Sequence, residues 1–460
     1  MTSLDPVQLT TRLGRHDTVN PPGNEQACID DIANILSDAG FNTELVHFAP
    51  VRPNLVARLG AGRASTPPLC FSGHVDTVPL GEKPWSFDQL AGEVRDGKVL
   101  GRGTSDMKAG IAAMVTACIA ERDRLSQGPG VVLVIASAEE TGCEGAAALV
   151  RSLDLGPLEG IIVAEPALNA PYYGHKGAFW LQAETSGVTA HGSMPHLGVN
   201  AILKADDQIR RLQGFAMPVT GDAALGHMTL NIGRIEGGLN VNSVPDRCRF
   251  TLDLRTNEQI EHQLLLAALQ AFCGTDLALT KLIDIPSVWT APETAFARKV
   301  TSVWQKVTGQ GLPPPTAASY FTDGAFLQGS DKSTPVMILG PGNPALAHKT
   351  DETCDLARIC EAETVYRALM DRRLSPACSV KAAAGVQSGG IRKNEIRSCS
   401  FALVSELMIA SVKQPRPSDC GRWDVQSTAE NGVATMLRAL VTQTADQGAR
   451  PDSQFCAGHP

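Results

Sequence analysis

The sequence predicts an α/β sandwich interrupted by a smaller inserted domain, and three observations carry that expectation. Short apolar runs at 69–72, 131–137 and 160–164, each bounded by turn residues, have the character of buried parallel strands. Helical spacing of apolar residues flanks them, at 27–36 and 108–121, and strands alternating with helices build a sheet covered by helices. Between 177 and 286 the pattern changes to strand, helix, strand, strand, helix, strand, which is the ferredoxin-like split unit.

In chain order, Ile29, Ile32, Ile35 and Leu36 mark one face of a first helix, starting near Asn24 and stopping at Gly40. The run KAGIAAMVTACIAE at 108–121 reads as a helix packed on the sheet. Inside the insertion, strands are expected at 179–185, 228–235, 248–254 and 279–285, and helices at 199–212 and 258–272. The α/β pattern resumes with a helix at 296–307, a strand at 335–339 and a closing helix at 356–370. A catalytic domain is therefore expected at 1–176 plus 287–375, and a lid or dimerisation domain at 177–286. Residues 376–460 form a further extension with no assignable motif, read as a flexible segment or as translation outside the original frame.

Composition excludes several classes. Lys+Arg number 40 against 48 Asp+Glu, a net charge of -8 with no basic stripe, so nucleic acid is not an expected partner. Hydrophobic content of 43% and charged content of 19%, with a mean hydropathy of -0.04, are those of a folded chain. No apolar stretch reaches the ~18–20 residues needed to span a bilayer. The start, MTSLDPVQLTTRL, lacks the features of a secretory signal. Eight of the 12 cysteines (Cys28, Cys70, Cys118, Cys143, Cys248, Cys273, Cys354 and Cys360) are scattered without CxxC spacing, which predicts reduced thiols and a cytoplasmic protein.

Five sites put metal-ligand residue types at predicted strand ends. In SGHVDT (72–77), His74 and Asp76 share a side because alternate residues share a face. Such a carboxylate can orient an imidazole that holds a metal. The Gly-rich loop GRGTSDMK (101–108) delivers Asp106 just before a helix, where a plain N-cap is the simpler reading. In AEETG (138–142), Glu139 and Glu140 point in different directions, so one can ligate and the other move a proton; a solvated acidic turn is the alternative. VAEP (163–166) ends a strand with Glu165, and GPG (340–342) leads to His348 in AHKTDE (347–352). Each motif alone is weak. Together they lie where open α/β sheets gather ligands, at the carboxyl ends of strands. Two His and three carboxylates suit zinc, cobalt or manganese.

These motifs resemble the zinc-dependent M20 amidohydrolases, in the branch of acetylornithine deacetylase and succinyl-diaminopimelate desuccinylase. The resemblance covers residues 5–375 and also includes DTVNPPGNE (17–25), GHVDTVP (73–79), GHKG (174–177) and TAHGSMPHLGVNA (189–201). It implies a zinc-peptidase-like mixed sheet and two divalent metal ions per subunit, zinc ahead of cobalt or manganese. Asp106 would bridge the ions, with His74 and Glu165 completing one site and Glu140 and His348 the other. Glu139 would be the general base and then acid, with Asp76 in support. His191 would stabilise the oxyanion, reaching the site of the partner subunit in a homodimer formed through the lid. Arg255 would grip the substrate carboxylate, helped by Asn240 and Asn242.

The implied reaction is hydrolysis of the amide of an N-acyl-L-amino acid. A dipeptidase or carboxypeptidase of the same fold is the neighbouring reading, and a non-catalytic binding protein the distant one. The residues leave some roles open. Arg255 follows Asp253 by two positions and could simply pair with it; His175 and His196 are unassigned; Trp180 and the phenylalanines are expected in the core.

Overall fold

The computed structural model describes residues 4–60, 66–215 and 224–371; the extension at 376–460, with four of the twelve cysteines, lies outside the described residues. Six strands form the main sheet, in the spatial order Asn42–Ala49, Arg52–Leu59, Val131–Ala136, Leu69–His74, Gly160–Val163, Val336–Ile338. The last four run parallel, and the hairpin at 42–59 adds an antiparallel pair at one edge. The sheet is therefore mixed, with its parallel strands grouped together.

Alternation along those strands feeds two cores. Leu69, Phe71, Leu133 and Ile135 pack against the helices Gln26–Asp38, Ala109–Ala120, Ala295–Thr308 and Leu356–Met370. Cys70, Val132, Val134 and Ile161 point the other way, towards Glu144–Ser152 and Gly324–Leu327. Each fully buried large apolar side chain stabilises the fold by ~1.5–3 kcal/mol. Ala109–Ala120 is apolar all round and buried along most of its length, as a helix inserted between sheet and outer helices must be. Gly110 lets it sit close: a Cβ there would collide with the Ala164 carbonyl, next to Glu165.

The inserted unit has the strand order Thr229–Gly237, Arg247–Thr256, Gly177–Ser186, Ala278–Ile285, with all neighbours antiparallel. Helices Ala201–Gln213 and His262–Cys273 cover one face, packing on Phe179, Leu181, Phe250 and Leu252. The helix expected from 258 starts only at His262. The Asn257 side chain accepts the Gln259 N–H instead, a turn that competes with helix. A small sheet of Glu93–Arg95, Lys98–Leu100 and Thr353–Asp355 ties two distant segments together. Among the described residues, no helix is long and apolar enough to cross a membrane.

Candidate active site

The four parallel strands lie side by side, and their carboxyl ends deliver His74, Glu139 with Glu140, Glu165, and the loop carrying His348. Strand spacing of ~4.8 Å brings such residues within reach of one another. Asp106 comes instead from the segment that precedes a helix. Its turn, Thr104–Lys108, is not helical at Asp106 and Met107, and helix Ala109–Ala120 begins just after it. Asp106 is therefore not the N-cap that the simpler reading allowed; its carboxylate points at two histidines.

His74 is buried at 1% exposure, with Nε2 3.5 Å from Asp106 Oδ1, 3.4 Å from Glu165 Oε1 and 3.9 Å from Glu139 Oε2. His348 Nε2 lies 3.0 Å from Glu140 Oε2 and 3.4 Å from Asp106 Oδ2. Asp106 thus stands between the two imidazoles. Two sets of potential ligand atoms each fall within 4.8 Å of one another: those of His74, Asp106 and Glu140, and those of His74, Glu139 and Glu165. Glu139, singled out from sequence as a proton carrier, is near enough to His74 and Glu165 to belong to the second set.

Asp76 organises this cluster from behind. Its Oδ1 accepts the backbone N–H of Glu139 at 3.0 Å and its Oδ2 that of Glu140 at 3.1 Å. Asn20 Nδ2 donates to the same Oδ2 at 2.9 Å. His74 Nδ1 lies 3.0 Å from the Asp76 carbonyl and 3.4 Å from its carboxylate. If Nδ1 carries the proton it donates to that carbonyl, which leaves the Nε2 lone pair aimed at the carboxylates.

The electrostatics follow from burial. Burial pushes the Glu165 carboxyl up to about 8, with the charges of Asp106 and Glu140 adding to it. Glu139 rises well above the carboxylate range for the same first reason, with Glu165 and Glu140 beside it. Burial would also raise Asp106, but hydrogen bonds to His348 and His74 hold it below its usual value. His348 is raised to about 10 by hydrogen bonds to Asp106 and Glu140. A cluster this dense in carboxylates is built to receive positive charge.

Trp180, Arg255, Tyr320 and Phe321 line the same cavity as the acids; its volume is about 430 Å³. Arg255 donates from Nε to Asp253 Oδ1 at 2.9 Å and from Nη2 to Oδ2 at 3.2 Å, so it pairs with Asp253 and lines the cavity as well. Trp180 is half-buried: it packs at the edge of the second core, as expected from sequence, and lines this cavity as well. On its strand the helix-facing positions are 179, 181 and 183; Trp180 shares the opposite face with Gln182 and Glu184, which was the available signal. Tyr320 and Phe321 lie in a non-periodic loop and left no such signal. His191 is exposed on the inserted unit, 2.7 Å by Nδ1 from Ser193 Oγ, and Asn240 and Asn242 are exposed on a neighbouring loop. None of these three lines the cavity of its own chain.

The model of peptidase family M20/M25/M40 matches residues 70–372, well over half of the chain. The chain belongs to that family. A probable succinyl-diaminopimelate desuccinylase of Staphylococcus epidermidis is 28% identical over 393 residues, covering 76% of this chain and 93% of that protein. An acetylornithine deacetylase of Pasteurella multocida is 29% identical over 350 residues, covering 72% and 86%. Among solved structures, a tripeptidase from Staphylococcus aureus superposes with a TM-score of 0.64 at 20% identity, over 82% of this M20 chain and 99% of that one. The fold is thus the M20 metallopeptidase fold.

Two residues beside the site were not singled out from sequence. Asp323 is buried against the Cys143 thiol and raised to about 7, chiefly by burial. Glu352 accepts from Arg102 Nη1 at 2.7 Å and from the backbone N–H groups of Gly103, Ser105 and Asp106 at 3.1, 2.8 and 3.0 Å.

Proposed function

We propose that this M20 chain is a dinuclear metal-dependent deacylase that hydrolyses the amide bond of N-acyl-L-amino acids, releasing a carboxylic acid and a free amino acid. The observation that carries the reading is the convergence of His74, Asp106, Glu139, Glu140, Glu165 and His348 on one cavity faced by Arg255. The names of the two relatives, a desuccinylase and a deacetylase, support the amide of an acylated amino acid over a peptide bond.

The donor set fits two divalent cations. Glu140 Oε1 is buried with no hydrogen-bond partner, a carboxylate oxygen left for a ligand. His74, Asp106 and Glu165 would hold one ion and Asp106, Glu140 and His348 the other, zinc being the best match to a nitrogen and oxygen set, with cobalt or manganese accepted. Bound there, such a pair polarises the amide carbonyl and makes hydroxide available near neutral pH.

The chain's own groups do the rest. Glu139 takes the proton of the attacking water and returns it to the departing amine as the C–N bond breaks. Asp76 fixes the Glu139 backbone while Glu140 is held a residue away, so base and ligand keep separate positions. Arg255 binds the substrate carboxylate, with Asn240 and Asn242 in support, and His191 donates to the oxyanion from a second subunit. A homodimer through the inserted lid is supported by apolar surface: Leu239 is 97% and Val241 103% exposed, near the exposed Ile202 and the edge-strand residue Ile235. A cytoplasmic location accords with the free thiols of the eight described cysteines.

The test is metal titration of the metal-depleted full-length chain, followed on N-acetyl and N-succinyl amino acids and on dipeptides. Metal-dependent hydrolysis of the N-acyl substrates is expected. Faster cleavage of dipeptides than of any N-acyl amino acid would replace the deacylase with a peptidase.

A further inference from the structure

The residues that line the cavity beside the carboxylates and His348 have a composition that bears on the substrate. Trp180, Tyr320 and Phe321 supply aromatic residues to the lining, and the Tyr320 hydroxyl donates its hydrogen to the Pro166 carbonyl. Arg255 is the cation of this wall: its Cζ lies 5.9 Å from the Trp180 ring centroid and 5.8 Å from that of Phe321. Trp180 Nε1 donates to Asp253 Oδ1 at 2.8 Å, the oxygen that Arg255 Nε also uses, so the aromatic ring and the guanidinium are braced by one carboxylate.

Four carboxylates line the cavity among the described residues, and all four have tasks: Asp106, Glu140 and Glu165 as ligands, Glu139 as base. None is left over to receive an ammonium group. A carboxylate gripped by Arg255 places its α-carbon, and the side chain on it, beside Trp180 and Phe321.

We infer that the amino-acid side chain accepted by this site is aromatic or large and apolar, packed against Trp180 and Phe321, and that side chains bearing an ammonium group are disfavoured. This rests on the deacylase reading. It also separates the chain from the activity named for its Pasteurella multocida relative, since the side chain of acetylornithine ends in an amine. The physical basis is twofold. Aromatic pairs gain from burial and from ring geometry, whereas an ammonium group packed beside Arg255 loses hydration while the nearby carboxylates are already engaged.

The experiment compares kcat/KM of the metal-loaded full-length enzyme for N-acetyl-L-phenylalanine and N-acetyl-L-methionine with that for N-acetyl-L-ornithine. A preference of at least ~10-fold for the first two is expected, in the range that apolar pocket contacts supply. Phe321→Ala should lower the phenylalanine-to-ornithine ratio ~10-fold, and Phe321→Leu, which keeps apolar bulk, should retain most of it. Using a ratio of two substrates on one preparation cancels any loss of folded enzyme. Hydrolysis of all three with ornithine equal or preferred overturns the inference and leaves the deacylase reading standing, as does a ratio that Phe321→Ala does not move. Hydrolysis of none of them overturns the inference, and failure on N-succinyl amino acids as well overturns the deacylase reading too.

Discussion

Glu352→Ala removes the acceptor around which the Asp106 loop is folded. The side chain is fully buried, and its two oxygens serve four donors: Ser105 and Asp106 N–H on Oε1, Gly103 N–H and Arg102 Nη1 on Oε2. Alanine leaves three backbone donors and one guanidinium without that partner. A buried donor left unpaired costs ~1–3 kcal/mol, and breaking one side of a buried ion pair costs ~3–5 kcal/mol. These terms overlap and cannot be added. Arg102 keeps its bonds to the Lys349 and Pro79 carbonyls, and its guanidinium stays over the Trp85 ring at 5.1 Å, which softens the loss. A net destabilisation of ~3–5 kcal/mol is expected, read as a fall in the urea midpoint at unchanged slope. Glu352→Gln retains one oxygen, enough for two of the four donors, and should fall between wild type and alanine. Metal affinity should drop in the same order, because Asp106 is the ligand shared by both proposed ions. A loss in Glu352→Ala below ~1 kcal/mol would refute the reasoning and make this network incidental to the loop.

Other consequences can be checked independently. Glu139→Ala should bind two metal ions per subunit by elemental analysis while kcat falls ~10²–10⁴-fold; substantial residual turnover removes Glu139 as the base. His175, fully buried, has its pKa lowered to about 4, first by burial and further by the charge of Arg255. Below the ordinary value of 6.5 the unfolded chain takes up a proton that the folded chain refuses, so this stabilisation is complete above pH 6.5 and is lost as pH falls towards 4. The shift corresponds to about 3 kcal/mol, and His175→Gln should lose that much less stability than wild type across the window; parallel curves would show His175 to be uninvolved. Leu239→Glu combined with Val241→Glu should shift the sedimenting species from dimer to monomer and, with His191 acting across subunits, reduce turnover. A dimer that persists would place the interface elsewhere.

The positions that converge on the proposed metal site were legible from sequence because they obey a local rule. His74, Glu139, Glu140 and Glu165 all follow short apolar runs directly, so finding the strand finds the residue. Asp106 and His348 sit on loops, and the motifs around them, not periodicity, marked them out. What stayed hidden depends on pairing across sequence distance. Glu352 meets residues 101–106 because Thr353–Asp355 pairs with Lys98–Leu100, and three-residue strands carry no period. The hairpin Asn42–Ala49 and Arg52–Leu59 was also missed; its outer strand is largely exposed, and Pro53 interrupts the inner one, so neither gives a clean alternation. The helix Pro6–Gly14 carried a readable start, with Asp5 capping the Val7 and Gln8 N–H groups and Pro at its first position.

Adjacent glutamates could have been no more than an acidic turn, and burial together with the backbone decides against that. Glu139 is 5% exposed, and burial of a carboxylate without function is costly. Ala138 takes φ 59°, turning the chain sharply at the end of strand Val131–Ala136. Asp76 then holds both following N–H groups, one on each oxygen, which splays the two side chains. Glu139 goes to the His74 side and Glu140 to the His348 side, 3.9 and 3.0 Å from the respective Nε2 atoms. Asp76 therefore sets the imidazole of His74 through its backbone carbonyl and the divergence of the glutamates through its carboxylate. Moving Asp76 would disturb the proposed ligand and the proposed base together, whereas moving either glutamate alone disturbs one of them. That asymmetry is why a residue that lines none of the cavity belongs to the proposed chemistry as firmly as those that do.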